Sequence, residues 1–272
     1  MTTRNIKQPA AERAAAGNVA AAKSYRGYLE RIQRAGQLRA PVAAEAGSRG
    51  RLLVEAIKLF ASHGYDACAV RDLAKAAGLR APAIYNHYGS KSDILVAAVD
   101  HMISQFYATV FASPQPREAR ELLLQILRRH ALYGMVHQTM SKAAYLLLNP
   151  DFMARVMPDS HRRRIAGAMA EYISILGELL DEVVGIDGNL DSTLRAILTH
   201  DLVDQSAARY EPKRGRDPER EADQYVLLVS RMVGLNAEMS TEGADDSARV
   251  VAGDPPRKIK RATTLRPARA EG

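Results

Sequence analysis

Apolar residues recur every three or four positions along most of this chain, and no stretch alternates apolar with polar residues long enough to read as a strand. The first strong helix signal opens at Ser48, with Leu52, Leu53, Ala56, Ile57, Leu59 and Phe60 at helical spacing. Ser48 is placed to cap it, its oxygen accepting from an otherwise orphan backbone N–H, and Gly64 is placed to stop it. A second, short helix fits Val70 to Ala77, with Val70, Leu73, Ala74 and Ala77 on one face. Gly78 supplies a tight turn. Pro82 then suits the first turn of a third helix, where its missing N–H costs nothing, and that helix ends near Gly89. From Ser92 to about Gly234 the pattern predicts helices only: Asp93–Phe111, Arg117–Gln138, Thr139–Leu148 (ended by Pro150), Asp159–Val184, Leu190–Arg209, and a last one opened by Asp217-Pro218. The last helix carries Val226, Val229, Met232 and Val233 as its stripe. The expected fold is all-α.

Outside this span the periodicity weakens. Residues 1–47 are rich in Ala and Arg and hold eight Lys and Arg against three acids, so a flexible basic arm is expected there. Within it Tyr25, Tyr28, Leu29, Ile32 and Leu38 fit one short helix face. Residues 237–272 read as a second basic tail, with six Lys and Arg and no acid between Arg257 and Arg269. The domains expected are therefore the arm at 1–47, a compact helical unit at 48–92, a larger helical domain at 93–236 and the tail.

Composition narrows the function classes. Apolar residues make up 47% of the 272 positions, enough for a core, and no apolar run reaches the roughly 18 residues of a membrane span. The N-terminus lacks a secretory pattern and Cys68 is the single cysteine, so a cytoplasmic protein without an internal disulfide is expected. The net charge of +7 favours an anionic partner only weakly. The seven histidines show no metal-ligand spacing, Cys68 has no CxxC partner, and no glycine loop would cradle a phosphate. No metal, cofactor or catalytic set is therefore expected. His200, Asp201 and Asp204 share one helical turn, which admits acid–base chemistry, but a polar patch at a dimer face or in a pocket is preferred.

The stretch Val70-Arg71-Asp72-Leu73-Ala74-Lys75-Ala76-Ala77-Gly78-Leu79-Arg80-Ala81-Pro82-Ala83-Ile84-Tyr85-Asn86-His87-Tyr88 has the spacing of a helix-turn-helix. Ala74 is small where two helices touch, Gly78 reverses the chain, and Leu73, Leu79 and Ile84 fill the space beneath. The flanks add Phe60 to Gly64 with Tyr65 before it, and Tyr85 to Tyr88 followed by Ser90-Lys91-Ser92-Asp93-Ile94-Leu95 after it. From Ser48 to Leu95 this order resembles the DNA-binding domain of the tetracycline-repressor (TetR) family, and the all-helical remainder fits the family's ligand and dimer domain in architecture.

The resemblance implies a homodimer on palindromic double-stranded operator DNA, paired through helices near 190–209 and 218–234. It implies that Arg80, Ala81 and Ala83 face base edges, with Arg80 suited to guanine, that Tyr85, His87 and Lys91 hold phosphates, and that Asn86 does either. It further implies a small-molecule effector pocket, for which Met102, Phe106, Met135, His137, Tyr145, Met169 and Tyr172 are the candidates. The segment from Ala208-Arg209-Tyr210 to Gly234-Leu235 is similar to the branch that controls lipid and steroid breakdown, where acyl-CoA thioesters are common ligands. Arg162, Arg163 and Arg164 are then candidates for CoA phosphates or an ordinary solvated helix start. Two positions depart from the family: Ala69 and Arg80 stand where Ser or Thr usually caps a helix. A ligand-relieved repressor is the expectation; an architectural or protein-binding relative without a specific operator is the alternative.

Overall fold

The computed structural model describes residues 24–38, 47–112, 118–185, 191–212 and 215–235. Among them are eleven α-helices and no strand. The expectations for 237–272, including the basic run at 257–269, lie outside the described residues, as do those for 1–23 and 39–46.

Residues 24–38 do not behave as the arm expected there. They form α1 (Tyr25–Gly36), capped by Ser24, whose hydroxyl accepts from Gly27 N–H at 3.0 Å. The tyrosine and isoleucine stripe is fully enclosed, because α1 lies along α9 (Asp159–Val184) in the larger domain. Two glycines allow the close crossing. A Cβ on Gly36 would meet that of Ala168 at 2.7 Å, and one on Gly167 would meet the carbonyl of Ala35 at 2.8 Å. Arg31 fastens the other face, donating to Glu171 at 2.7 Å and to Glu178 at 2.5 and 2.9 Å. Tyr25 and Tyr28 meet the ring of Phe111 at 6.0 and 6.1 Å, and the guanidinium of Arg129 lies 4.9 Å from the Tyr25 ring centre. Burial and the carboxylates of Glu178 and Glu182 push the Tyr28 phenol up to about 12.

Next come α2 (Ser48–His63), α3 (Val70–Ala76) and α4 (Ala81–Tyr85). Ser48 does not cap α2. Gly47, at φ 97°, sets the chain's entry, so Ser48 already lies inside the first turn. The larger domain is α5 (Lys91–Val110), α6 (Ala119–Val136), α7 (Gln138–Leu147), α8 (Pro150–Val156), α9, α10 (Ser192–Arg209) and α11 (Pro218–Met232). Ser90 caps α5 and Asp191 caps α10, each accepting from the N–H three residues on. Asp217 caps α11 as its Asp-Pro signal predicted. Helix α8 was not predicted: Pro150 ends α7 but also starts a new helix, with Asn149 accepting from Asp151 and Phe152 N–H.

Helices α6, α9 and α10 enclose the centre, and α11 lies on α6. The α6–α11 contact buries Arg128, which donates to Asp223 at 2.6 Å. Arg129 is buried too and donates to Val110 and Ala112 carbonyls, covering the exposed end of α5. Among the described residues no helix is long and apolar enough to cross a membrane.

Candidate DNA interface and effector cavity

The three helices α2–α4 form one small unit around Leu53, Ile57, Phe60, Leu73, Ala74 and Ile84, all buried. Helix α3 ends as its residues require. Leu79 N–H donates to Ala74 O and Ala77 N–H to Leu73 O, while Gly78 takes φ 67°, where a Cβ is strained. The chain then reverses into α4, with Pro82 in its first turn. The two departures from the family pattern have visible consequences. Asp72 accepts from Ala69 N–H at 3.1 Å, but Ala69 has nothing to return. Arg80 occupies the N-cap of α4 without a side-chain cap bond.

This geometry pushes the face of α4 outward. Arg80, Ala83, Tyr85, Asn86 and His87 are exposed, and Ala81 is half-buried. Tyr85 is therefore free of the core, whereas Tyr88 is enclosed and receives a bond from Arg49 Nε at 3.2 Å. Arg71 and Lys75 on α3 are exposed as well.

Lys91 is placed differently from its expected role. Its ammonium donates to the carbonyls of Tyr65 at 2.9 Å, Cys68 at 3.0 Å and Asp66 at 3.4 Å, and sits 4.4 Å from the centre of the Tyr65 ring. Three donors meet three acceptors, so the expectation of a phosphate contact gives way to a clasp joining the start of α5 to the α2–α3 turn. Replacing Lys91 by methionine is expected to cost about 1–3 kcal/mol in urea unfolding. The slope of log affinity for DNA against log salt should stay unchanged, whereas losing a true phosphate contact lowers it by about one.

A second contact set ties this unit to the larger domain. Arg155 of α8 pairs with Asp66 at 2.7 Å, and Phe152 meets Tyr65 edge-on at 6.0 Å. Helices α5 and α7 pack directly on α2.

Those two helices also wall a cavity of about 500 Å³ with α6, α9 and α10. Of the residues expected to line it, Met102, Phe106, Tyr145, Met169 and Tyr172 do. Met135 and His137 do not. On α6 the residues facing the cavity are His130, Tyr133 and Gly134, one helical face, and Met135 is turned away and buried elsewhere. His137 lies past the end of α6, its ring tilted against that of Tyr133 at 4.6 Å. The sequence reading did not pick out His130 or Tyr133, which carried no signal beyond the α6 stripe. His200, Asp201 and Asp204, read as a polar patch, line the α10 wall. Arg162 and Arg164 are occupied elsewhere: Arg162 pairs with Asp159, and Arg164 donates to Gly36 O at 3.2 Å, Gln37 O at 3.1 Å and Asp100 at 3.3 Å, holding the end of α1.

Within the cavity Phe106 is ringed by His130, Tyr133 and Tyr172 at 4.8, 5.3 and 6.1 Å. Tyr172 OH lies 3.1 Å from His130 Nδ1, and His130 Nε2 lies 3.6 Å from Asp204 Oδ1. Burial holds His130 below the usual imidazole range, hence neutral, and raises the Tyr172 phenol well above its own. His130 in turn lowers the Asp204 carboxyl, which stays ionised.

Comparison with known proteins matches this arrangement. Residues 52–98 match the model of the bacterial regulatory proteins, tetR family. The chain is 38% identical over 197 residues to the HTH-type transcriptional repressor KstR2 of Mycobacterium tuberculosis, covering 69% of this chain and 94% of that protein. It is 38% identical over 60 residues to the HTH-type transcriptional repressor ComR of Escherichia coli, spanning only 29% of that protein's length. In fold it is similar to a tetR-family regulatory protein from Rhodococcus RHA1, with a TM-score of 0.59, 21% identity and 70% and 98% of the two chains covered. It is likewise similar to AibR, solved in complex with isovaleryl coenzyme A and operator DNA, with a TM-score of 0.54, 19% identity and 67% and 97% covered. The exposed recognition helix, the helical domain behind it and a relative aligned over nearly its whole length agree: this chain belongs to the tetR family of bacterial regulatory proteins and is a DNA-binding regulator of transcription.

Proposed function

We propose that the protein is a cytoplasmic, homodimeric repressor that leaves its operator when an acyl-CoA-type effector enters the cavity between α5, α6, α7, α9 and α10. One observation carries this reading: α5 and α7 are walls of the cavity and at the same time supports of the DNA-binding unit. Met140, Ser141, Ala144 and Tyr145 of α7 line the cavity, and the same helix packs on α2. A ligand that displaces α7 or α5 shifts the support on which α2 rests, because packed interiors do not yield continuously, and through α2 and α3 it re-aims α4. The polar α10 residues serve as a wall for the effector in this reading, with no catalytic task.

Ligand class is supported by the cavity's makeup and by AibR, which binds isovaleryl coenzyme A. No Lys or Arg is among the described wall residues, so an acyl chain suits the interior and the phosphates of a CoA ester remain outside. On the DNA side, Arg80, Ala81 and Ala83 are assigned to base edges, and Tyr85, His87 and Asn86 to phosphates or bases. Dimerisation is assigned to α10 and α11. Leu194, Leu198, Leu228 and Met232 are each more than half exposed on these helices, an apolar stripe that a lone subunit leaves in water.

The test is fluorescence anisotropy on a labelled operator duplex, titrated with isovaleryl-CoA and with longer acyl-CoA esters. The reading predicts release by at least one ester, and loss of that response in Ala144→Trp, which fills the cavity. Operator binding indifferent to every ester would overturn the ligand class.

A further inference from the structure

A polar cluster stands where α6, α9 and α10 meet in the cavity wall, and its geometry specifies what it can bind. Tyr172 and His130 share one hydrogen bond at 3.1 Å inside the core. The tautomer follows from two requirements. If Tyr172 O–H donates to Nδ1, its proton is satisfied and Nε2 carries the other proton toward Asp204. The opposite tautomer would aim an Nε2 lone pair at a carboxylate. The Nε2 to Oδ1 distance of 3.6 Å is too long for a direct hydrogen bond. Donor and acceptor thus stand side by side on the cavity wall, and an oxygen seated beside the gap, not between them, can reach both. His200 stands beside this gap, its ring 5.2 Å from that of His130 and 5.8 Å from that of Tyr172, with Nδ1 at 3.2 Å from Asp201.

We propose that the group an effector presses against α10 is a hydroxyl, which accepts from His130 Nε2–H and donates to Asp204, and that a carboxylate is refused there. This rests on reading the cavity as the effector site, and it narrows the effector to a hydroxylated apolar skeleton. A hydroxyl both donates and accepts, so it closes the gap completely. A carboxylate only accepts; it cannot donate to Asp204 and sets like charges together, with Asp201 adding a second, a repulsion softened by water because the two side chains are 59% and 63% exposed. No Lys or Arg in the described wall offers an anion compensation.

The experiment is calorimetric titration of the full chain with 1-octanol and octanoate at pH 7.5, for the wild type, Asp204→Asn and Ala144→Trp. The proposal expects 1-octanol to bind roughly tenfold or more tighter than octanoate. In Asp204→Asn octanoate should gain until the two differ only a few-fold, since the amide removes the repelling charge and adds an N–H donor that the ionised carboxylate lacks. Ala144→Trp should abolish all binding. If octanoate binds as tightly as the alcohol and Ala144→Trp still abolishes binding, the hydroxyl assignment is wrong while the cavity remains the effector site. If nothing binds, the hydroxyl assignment falls, and the acyl-CoA titration decides the cavity reading; if binding survives Ala144→Trp, the cavity is not the effector site and both readings fall.

Discussion

Replacing Ile32 by alanine is expected to lower stability by about 2–5 kcal/mol, although Ile32 lies outside the segment that resembles the family's DNA-binding domain. The side chain is fully buried between α1 and α9, in a crossing made close by Gly36 and Gly167. Such a crossing collapses poorly around a deletion, because the backbones already touch, so the cavity term adds to the lost transfer free energy. In a chain of this size that loss corresponds to roughly 5–15 °C in melting temperature. Arg26→Ala on the same helix, whose side chain is exposed and pairs only with Glu30, is the control and should change almost nothing. Urea unfolding of the two variants decides the matter. Equal midpoints would mean that α1 is not part of the folded domain.

Leu198→Asp combined with Leu228→Asp is expected to give a folded monomer that no longer recognises its operator. Both leucines are exposed, so the substitutions cost a lone subunit little. In a two-fold interface each position is present twice, and every aspartate faces the apolar stripe of the other copy. Loss of the dimer removes one of two recognition helices, which must sit about 34 Å apart on successive turns of the duplex. Affinity should fall to about the non-specific level, a loss of roughly a thousandfold or more. Sedimentation equilibrium and operator titration on the same sample check both halves. A variant that stays dimeric would place the interface elsewhere than on α10 and α11.

The contrast between what the sequence discloses and what it conceals has a physical basis. The helix-turn-helix is legible because its requirements are local. Gly78 answers a positive φ, Pro82 a first turn, and Leu73 and Ile84 a shared underside, all within about 20 residues. Helix α8 escaped notice because its seven residues include no fully buried side chain, so it has no stripe to detect, only the Asn149-Pro150 start. Helix α1 was visible as a stripe at Tyr25, Tyr28 and Ile32, but its docking depends on Phe111 and Gly167, far along the chain. The cavity was half legible for the same reason. Helical periodicity says that Phe106 and Tyr172 point inward, yet a rotation of 100° per residue separates Gly134, on the wall, from Met135, behind it. Lys91 reads as an ordinary basic residue near a DNA contact. Nothing in its neighbours reveals three converging carbonyls, which exist only once α5 meets the α2–α3 turn.

The central claim is that α4 reads a specific DNA sequence, and selection of duplexes from a random pool tests it most directly. Wild type and Arg80→Ala are selected at two salt concentrations. The account predicts a palindrome for the wild type, with two half-sites one helical turn apart. Arg80→Ala should relax one or two positions in each half-site, at about 1–3 kcal/mol of discrimination. A pool that yields no motif, with binding that merely weakens as salt rises, would contradict the account and leave an architectural DNA binder in its place.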